Sequence, residues 1–194
     1  MSRGLTLAIA AAVLVGAVAV LYVIAGAAFK PAGGSSLAGL ATGPMKKLVA
    51  VAPAPPPSIP FKDAEGKDVT LADFRGDVLV VNLWATWCAP CVAEMPTLAK
   101  LQKAFEGRPV KVVAVSVDDA KSTDKAKAFI AQHGSLDFYQ NPDLRLPFAF
   151  NPPAAEFPST IIYDKQGVQR ARLTGDADWS SPEAKAVIEK LLAS

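Results

Sequence analysis

The 194-residue chain has one histidine and two cysteines, and its first 57 residues contain no aspartate or glutamate. Each shortage removes a class of function. His133, the lone histidine, has no cysteine near it in sequence and cannot build a site that needs three or four Cys and His donors. Its position near a helix end suits an interaction with terminal carbonyls instead. The acid-free segment holds four basic residues, so residues 58–194 carry 16 basic side chains against 18 acidic ones. A faintly acidic domain lacks the basic stripe that binds phosphate backbones, which excludes nucleic acid and points to protein partners. No internal repeat is evident, and the length suits one domain with appendages.

Charge is also missing from Leu5 to Phe29, a run of 25 positions without Asp, Glu, Lys or Arg. As a helix it extends roughly 37 Å at ~1.5 Å per residue, enough to cross a hydrocarbon core of ~30 Å. Residues 1–29 are therefore predicted to form one N-terminal transmembrane helix that anchors the chain. A cleaved signal peptide is the competing reading, with Ala25-Gly26-Ala27 as its small-residue site, but the run exceeds the roughly 7–15 apolar residues expected of one. The flanking charges, Arg3 against Lys30, Lys46 and Lys47, do not set the orientation. An inner (cytoplasmic) membrane anchor with the domain in the periplasm is expected, because thiol chemistry behind an N-terminal span fits an oxidising compartment. Residues 30–57 are rich in Gly, Ser, Ala and Pro and read as a linker without a core of its own, flexible at Gly33-Gly34-Ser35-Ser36 and stiffer at Pro53 to Pro57. The folded domain is expected over residues 58–194.

Within that domain strand and helix alternate, which predicts an α/β fold with a parallel core. Asp68 to Phe74 reads as a short strand running into a helical turn. Val78 to Trp84 is apolar at nearly every position, the pattern of a central strand covered on both faces. A helix from about Ala89 to Glu106 buries Met95, Leu98, Leu101 and Phe105. A strand over Val110 to Val117 and a helix from Ser122 to His133 follow. Thr160 to Tyr163 and Val168 to Leu173 flank Asp164-Lys165-Gln166-Gly167, a hairpin signature. The last helix, from about Pro182 to Ala193, is capped by Ser181 and buries Ala184, Val187, Ile188, Leu191 and Leu192.

The chemistry concentrates at Trp87-Cys88-Ala89-Pro90-Cys91, which holds both cysteines at the start of a helix. Unpaired N–H groups and the positive end of the helix dipole favour a thiolate at Cys88, lowering its pKa from ~8.5 into the range of roughly 3.5–7.5. Cys91, one turn further in, is less accessible, which makes Cys88 the attacking sulfur and Cys91 the resolving one. Pro90 pre-sets the helix start without removing a needed donor. Glu94, three residues after Cys91, lies beside it on the helix; partly buried, its pKa rises and it can exchange a proton with the Cys91 thiol. Trp84 is assigned to the core and Trp87 to the substrate surface. Two other readings of the cysteine pair stand beside redox exchange. A copper(I)-binding carrier suits soft thiolates but lacks a third soft ligand. A purely structural disulfide gains little from closing so short a loop.

The signature Leu83-Trp84-Ala85-Thr86-Trp87-Cys88-x-Pro90-Cys91 resembles thioredoxin-fold thiol-disulfide oxidoreductases, and within them the membrane-anchored TlpA/ResA group, over about residues 58–194. Pro96, five residues after Cys91, matches the proline that kinks the active-site helix of the family. Phe157-Pro158-Ser159-Thr160 looks like its cis-proline segment, whose residue before the proline pairs with substrate. Asn82 occupies the position where ordinary thioredoxins place a buried Asp, and Glu94 matches the carboxylate of the ResA-like pattern. The resemblance implies a thioredoxin fold with a central mixed sheet flanked by helices, and an inserted helix-strand segment between Val117 and Pro158. The Gly175 to Trp179 stretch is TlpA-like. The resemblance further implies no cofactor beyond a redox-active Cys88–Cys91 disulfide. The expected activity is reduction of client proteins with cysteine pairs, either cytochrome c precursors or copper chaperones and oxidase subunits, with electrons from a membrane thiol transporter.

Overall fold

The computed structural model describes residues 37–194. The predicted membrane helix over residues 1–29 lies outside them; among the described residues no helix is long and apolar enough to cross a membrane.

Eight strands form one mixed sheet in the order β1-β8-β7-β4-β5-β6-β2-β3. They are β1 (Leu48–Ala50), β2 (Phe61–Lys62), β3 (Asp68–Val69), β4 (Val78–Trp84), β5 (Val110–Ser116), β6 (Tyr139–Gln140), β7 (Ser159–Tyr163) and β8 (Gln169–Thr174). The helices are α1 (Ala89–Ala104), α2 (Thr123–Ala131), α3 (Arg145–Ala149) and α4 (Pro182–Leu192). β4 runs parallel to β5 and antiparallel to β7, and β5 runs parallel to β6. The inserted segment between β5 and β7 thus contributes α2, β6 and α3.

All seven residues of β4 are buried, so the strand is covered on both faces. Side chains alternate across a strand, and the two hydrophobic clusters divide β4 accordingly. Val78, Val80 and Trp84 pack with Met95, Leu98 and Leu101 of α1 and with Val187, Ile188 and Leu191 of α4. Leu79, Val81 and Leu83 face the other way, toward Phe61, Leu71, Leu146 and Phe150. This parity also puts Asn82 on the α1 face. There the register pairs it with Thr160 of β7.

Local chemistry fixes the ends of these elements. Ser181 Oγ accepts from Ala184 N–H at 3.2 Å, and Pro182 opens α4. In the β7–β8 turn, Asp164 Oδ1 accepts from Gln166 and Val168 N–H, while Gly167 takes φ +75°, a conformation open to glycine without a Cβ clash. Asp119 Oδ1 caps the short turn leading to α2 by accepting from Ser122 N–H at 3.0 Å, and Ser122 itself holds the N-cap position of α2 without a side-chain hydrogen bond. His133 Nδ1 lies 3.0 Å from Phe129 O, the helix-end contact expected for it.

The linker expected over residues 30–57 is corrected from Leu37 onward. Two short 3-10 turns, Leu37–Leu40 and Gly43–Met45, lead into β1, which pairs antiparallel with β8. Leu37, Met45 and Leu48 are buried in the same cluster as α1 and α4. Beyond β1, Gln169 N–H still donates to Ala54 O at 2.8 Å. The reason is the edge of β8: a row of unpaired N–H and C=O groups needs a partner. A Gly/Ala/Pro-rich segment with a few well-placed apolar side chains supplies one. The folded unit therefore starts at least 20 residues before Ser58.

Candidate active site

Cys88 ends the loop after β4 as the N-cap of α1, and its Sγ accepts from Cys91 N–H at 3.3 Å. The two cysteines are disulfide-bonded, with Cα atoms 5.3 Å apart. Cys88 keeps 6% of its surface exposed and Cys91 none. An N–H at the first turn aimed at Cys88 Sγ is the contact that favours a thiolate there once the bond is open.

The other predicted residues gather around this pair. Trp87 is 65% exposed, and the edge of its ring meets Phe157 with centroids 6.0 Å apart. The Phe157–Pro158 peptide is cis, as the resemblance implies. A second cis bond, Asn151–Pro152, had no counterpart in the sequence reading. Pro90 sits in the first turn of α1; Pro96 lies inside the continuous helix, exposed, where it provides no N–H for Val92 C=O. Trp84 is fully buried against Phe129 at 5.2 Å between centroids.

Glu94 is 3% exposed, and its carboxylate is an acceptor for three donors. Oε1 takes Asn82 Nδ2–H at 2.8 Å; Oε2 takes Ala177 N–H at 3.1 Å and Trp179 Nε1–H at 3.2 Å. Burial pushes the Glu94 carboxyl up to about 7, against the pull of these hydrogen bonds and with a further push from the Asp176 charge. Neither sulfur is among its hydrogen-bond partners, so the helix spacing that places it near Cys91 does not make a direct contact in the disulfide form. Asn82 Nδ2 also donates to Thr160 Oγ1 at 3.0 Å, while Asn82 Oδ1 is buried without a partner.

Sequence reasoning missed several members of this network. Thr97 Oγ1 donates to Glu94 O and accepts from Trp179 N–H, clamping α1 to the loop before α4. Lys47, on the segment read as linker, pairs with Asp176 in that loop at 3.1 Å. On the other side of the cysteines, Asp118 is 1% exposed and accepts from Thr86 N–H, Thr86 Oγ1 and Ser116 Oγ at 2.7–2.9 Å. A run of Asp-Asp after an apolar strand is a signal for this only in hindsight, since its partners lie up to 32 residues away. Among the described residues no three of His, Cys, Asp or Glu are grouped to hold a metal ion.

A mixed sheet of this order, with a Cys-x-x-Cys pair at the start of the helix after its central strand and a cis-prolyl loop beside it, defines a thioredoxin-like thiol-disulfide oxidoreductase. Enzymes of this class work through a redox-active cysteine pair. The chain belongs to the AhpC/TSA family, whose model matches residues 52–172. It is similar to the thiol-disulfide oxidoreductase ResA of Bacillus thuringiensis subsp. konkukian, 30% identical over 129 residues, which cover 62% of this chain and 68% of that protein. The thioredoxin-like protein YneN of Bacillus subtilis is 34% identical over 113 residues, 58% of this chain and 65% of YneN. A solved secreted thiol-disulfide isomerase from Corynebacterium glutamicum superposes with a TM-score of 0.65 at 23% identity, covering 76% of this chain and 93% of its own, and shows the shared fold.

Proposed function

We propose that the protein is a membrane-tethered periplasmic reductase that passes two electrons from the Cys88/Cys91 dithiol to disulfides of client proteins. The observation that carries this reading is the asymmetry of the pair: Cys88 caps the helix and keeps a small edge of its surface at the solvent, while Cys91 is sealed beneath it. In the reduced enzyme the Cys88 thiolate attacks one sulfur of a client disulfide. The client S–S bond breaks, a Cys88–client bond forms, and the released client thiolate takes a proton. The Cys91 thiol then gives up its proton and attacks Cys88 Sγ. The Cys88–Cys91 bond closes, and the second client thiolate leaves. Glu94, buried with a pKa of about 7, serves as the acceptor for the Cys91 proton near neutral pH. Trp87, Phe157 and Pro158 form the surface against which the client lies, and Pro90 and Pro96 shape the helix that carries the sulfurs. A membrane dithiol transporter restores the dithiol by the reverse exchange.

The direction of electron flow, the inner-membrane anchor and the clients rest on the charge-free run from Leu5 to Phe29 and on the TlpA/ResA resemblance. The clients are cytochrome c precursors or copper-delivery proteins and oxidase subunits with cysteine pairs. The test is Cys91→Ser in intact cells, which removes the resolving thiol and leaves any client attached to Cys88. Recovery of a periplasmic partner with a reducible Cys–Cys link is expected. If no mixed disulfide forms and the purified wild-type protein binds copper(I) stoichiometrically through both cysteines, the carrier reading replaces this one.

A further inference from the structure

Next to Trp87 and Phe157, the residues that precede Cys88 and the cis-proline, lies a cavity of about 350 Å³. This is near the small end of the ~300–1,000 Å³ typical of ligand pockets, a size for a side chain rather than a cofactor. Trp87, Phe157, Val117 and Leu144 supply its apolar walls, and Asp118 and Asp119 its charge. No lysine or arginine lines it. Among the described residues neither aspartate makes an ion pair. Asp118 is held by neutral donors alone, from Thr86 and Ser116, so its charge is hydrogen-bonded but not balanced.

The inserted segment between β5 and β7 builds the outer wall. Leu144 precedes α3 with φ +58°, a left-handed conformation costly for a bulky residue, and 37% of it is exposed. Asn141, buried, fixes the turn around it: its Oδ1 accepts from Leu146 N–H at 2.8 Å, and its backbone O accepts from Leu144 N–H. The segment thus holds an apolar side chain at the cavity beside two exposed or half-exposed aromatic rings.

We infer that this cavity is a client-specificity subsite that takes the side chain of a lysine or arginine one or two residues from the client cysteine. The inference rests on the exchange reading above. Trp87 immediately precedes Cys88, and Phe157 immediately precedes the cis-proline, so a peptide presenting its sulfur to Cys88 passes this opening. The alkyl stem of Lys or Arg lies along the Trp87, Phe157 and Leu144 surfaces, and its cationic head reaches the exposed Asp119, with the buried Asp118 carboxylate behind it. That division between apolar stem and charged head matches the division of the walls. An acidic neighbour to the client cysteine is repelled by the same two charges, which gives discrimination in both directions.

The test uses the reduced full-length protein and short peptides that each contain one disulfide, identical except for Arg, norleucine or Glu beside one cysteine. Single-turnover oxidation of Cys88 and Cys91 is followed by quenching and alkylation. The Arg peptide is expected to react about tenfold faster than the Glu peptide at low salt, with norleucine between them and the spread narrowing as salt rises. Asp119→Asn, which preserves an N-cap residue, is expected to reduce the Arg-to-Glu ratio to about threefold while leaving the norleucine rate unchanged. Asp118→Asn offers a second measure of the same ratio. Equal rates for the three peptides with the enzyme active overturn the subsite alone. Failure to react with any of them, or with a small aromatic disulfide, overturns the exchange reading and the subsite with it.

Discussion

Glu94→Gln isolates the energetic consequence of burying an ionisable group beneath the cysteines. Burial, the main cause, pushes the carboxyl up to about 7 in the folded protein from its ordinary value of 4.5. Between those values the folded state holds a proton that the unfolded chain has already released, so unfolding loses it and stability falls as pH rises through this window. The loss is complete above about pH 7 and absent below about pH 4.5. At ~1.4 kcal/mol per pH unit the window corresponds to about 3 kcal/mol. Glutamine is nearly isosteric and cannot ionise. Its carbonyl can keep the Ala177 and Trp179 donors, while its NH2 turns toward Asn82, whose amide must rotate to present Oδ1. That rearrangement costs on the order of 1 kcal/mol at every pH. The wild type is therefore expected to be slightly more stable than the variant near pH 4.5 and about 2 kcal/mol less stable at pH 8. The assay is urea denaturation of both disulfide-bonded proteins from pH 4.5 to pH 8.5, which cancels the titration of every other group in the difference. A difference that does not change with pH refutes the reasoning, because Glu94 then carries no perturbed proton.

Other substitutions separate the parts of the network. Trp179→Phe removes the Nε1–H donor from Glu94 Oε2 together with part of a fully buried side chain; urea denaturation should show a packing loss common to all pH values and, on top of it, about 1–2 kcal/mol more destabilisation at pH 8 than at pH 5, where the acceptor is protonated. Met45→Ala, at a fully buried position on the segment before β1, should cost about 2–5 kcal/mol in the same assay, whereas a residue on an idle tether would cost nothing. Lys47→Ala breaks an ion pair whose partners are 45% and 61% exposed, so its loss should stay below about 1 kcal/mol. In single-turnover exchange, Glu94→Gln should flatten the inflection near pH 7 in the rate of mixed-disulfide resolution; an unchanged profile removes Glu94 from proton transfer.

The sheet's centre was legible because its signals are local. Val78 to Trp84 is uniformly apolar apart from Asn82, and the observed strand has the predicted bounds. The Cys-x-x-Cys pair and the Ser181-Pro182 helix start carry their meaning within four residues. The segment from Leu37 to Ala54 was not legible, because its buried residues follow neither a helical nor a strand period. Their burial depends on the open edge of β8, more than 100 residues away in the chain. The partners of Glu94 show the same limit. Asn82 could be paired with it by position, but the Ala177 and Trp179 donors lie 83 and 85 residues on. Nothing in the spacing of an alanine amide or an indole announces that they will meet one carboxylate.

Asparagine rather than an acid at position 82 determines how many charges this buried site must bear. An aspartate there, 2.8 Å from Glu94 through its side-chain tip, would place two carboxylates in one apolar enclosure, and both could not ionise near neutral pH. Asparagine instead gives Oε1 a donor, so Glu94 is the single titrating carboxyl between β4 and α1. The amide also provides for the protonated form. A neutral Glu94 has a hydroxyl to donate, and Asn82 Oδ1, buried without a partner, becomes its acceptor after rotation of the amide. Thr160 Oγ1 tolerates the exchange, because its hydroxyl accepts from the NH2 group in one orientation and donates to Oδ1 in the other. The site can therefore hold one proton more or less with its hydrogen bonds largely preserved, as a proton acceptor must when it returns to its starting state on every cycle.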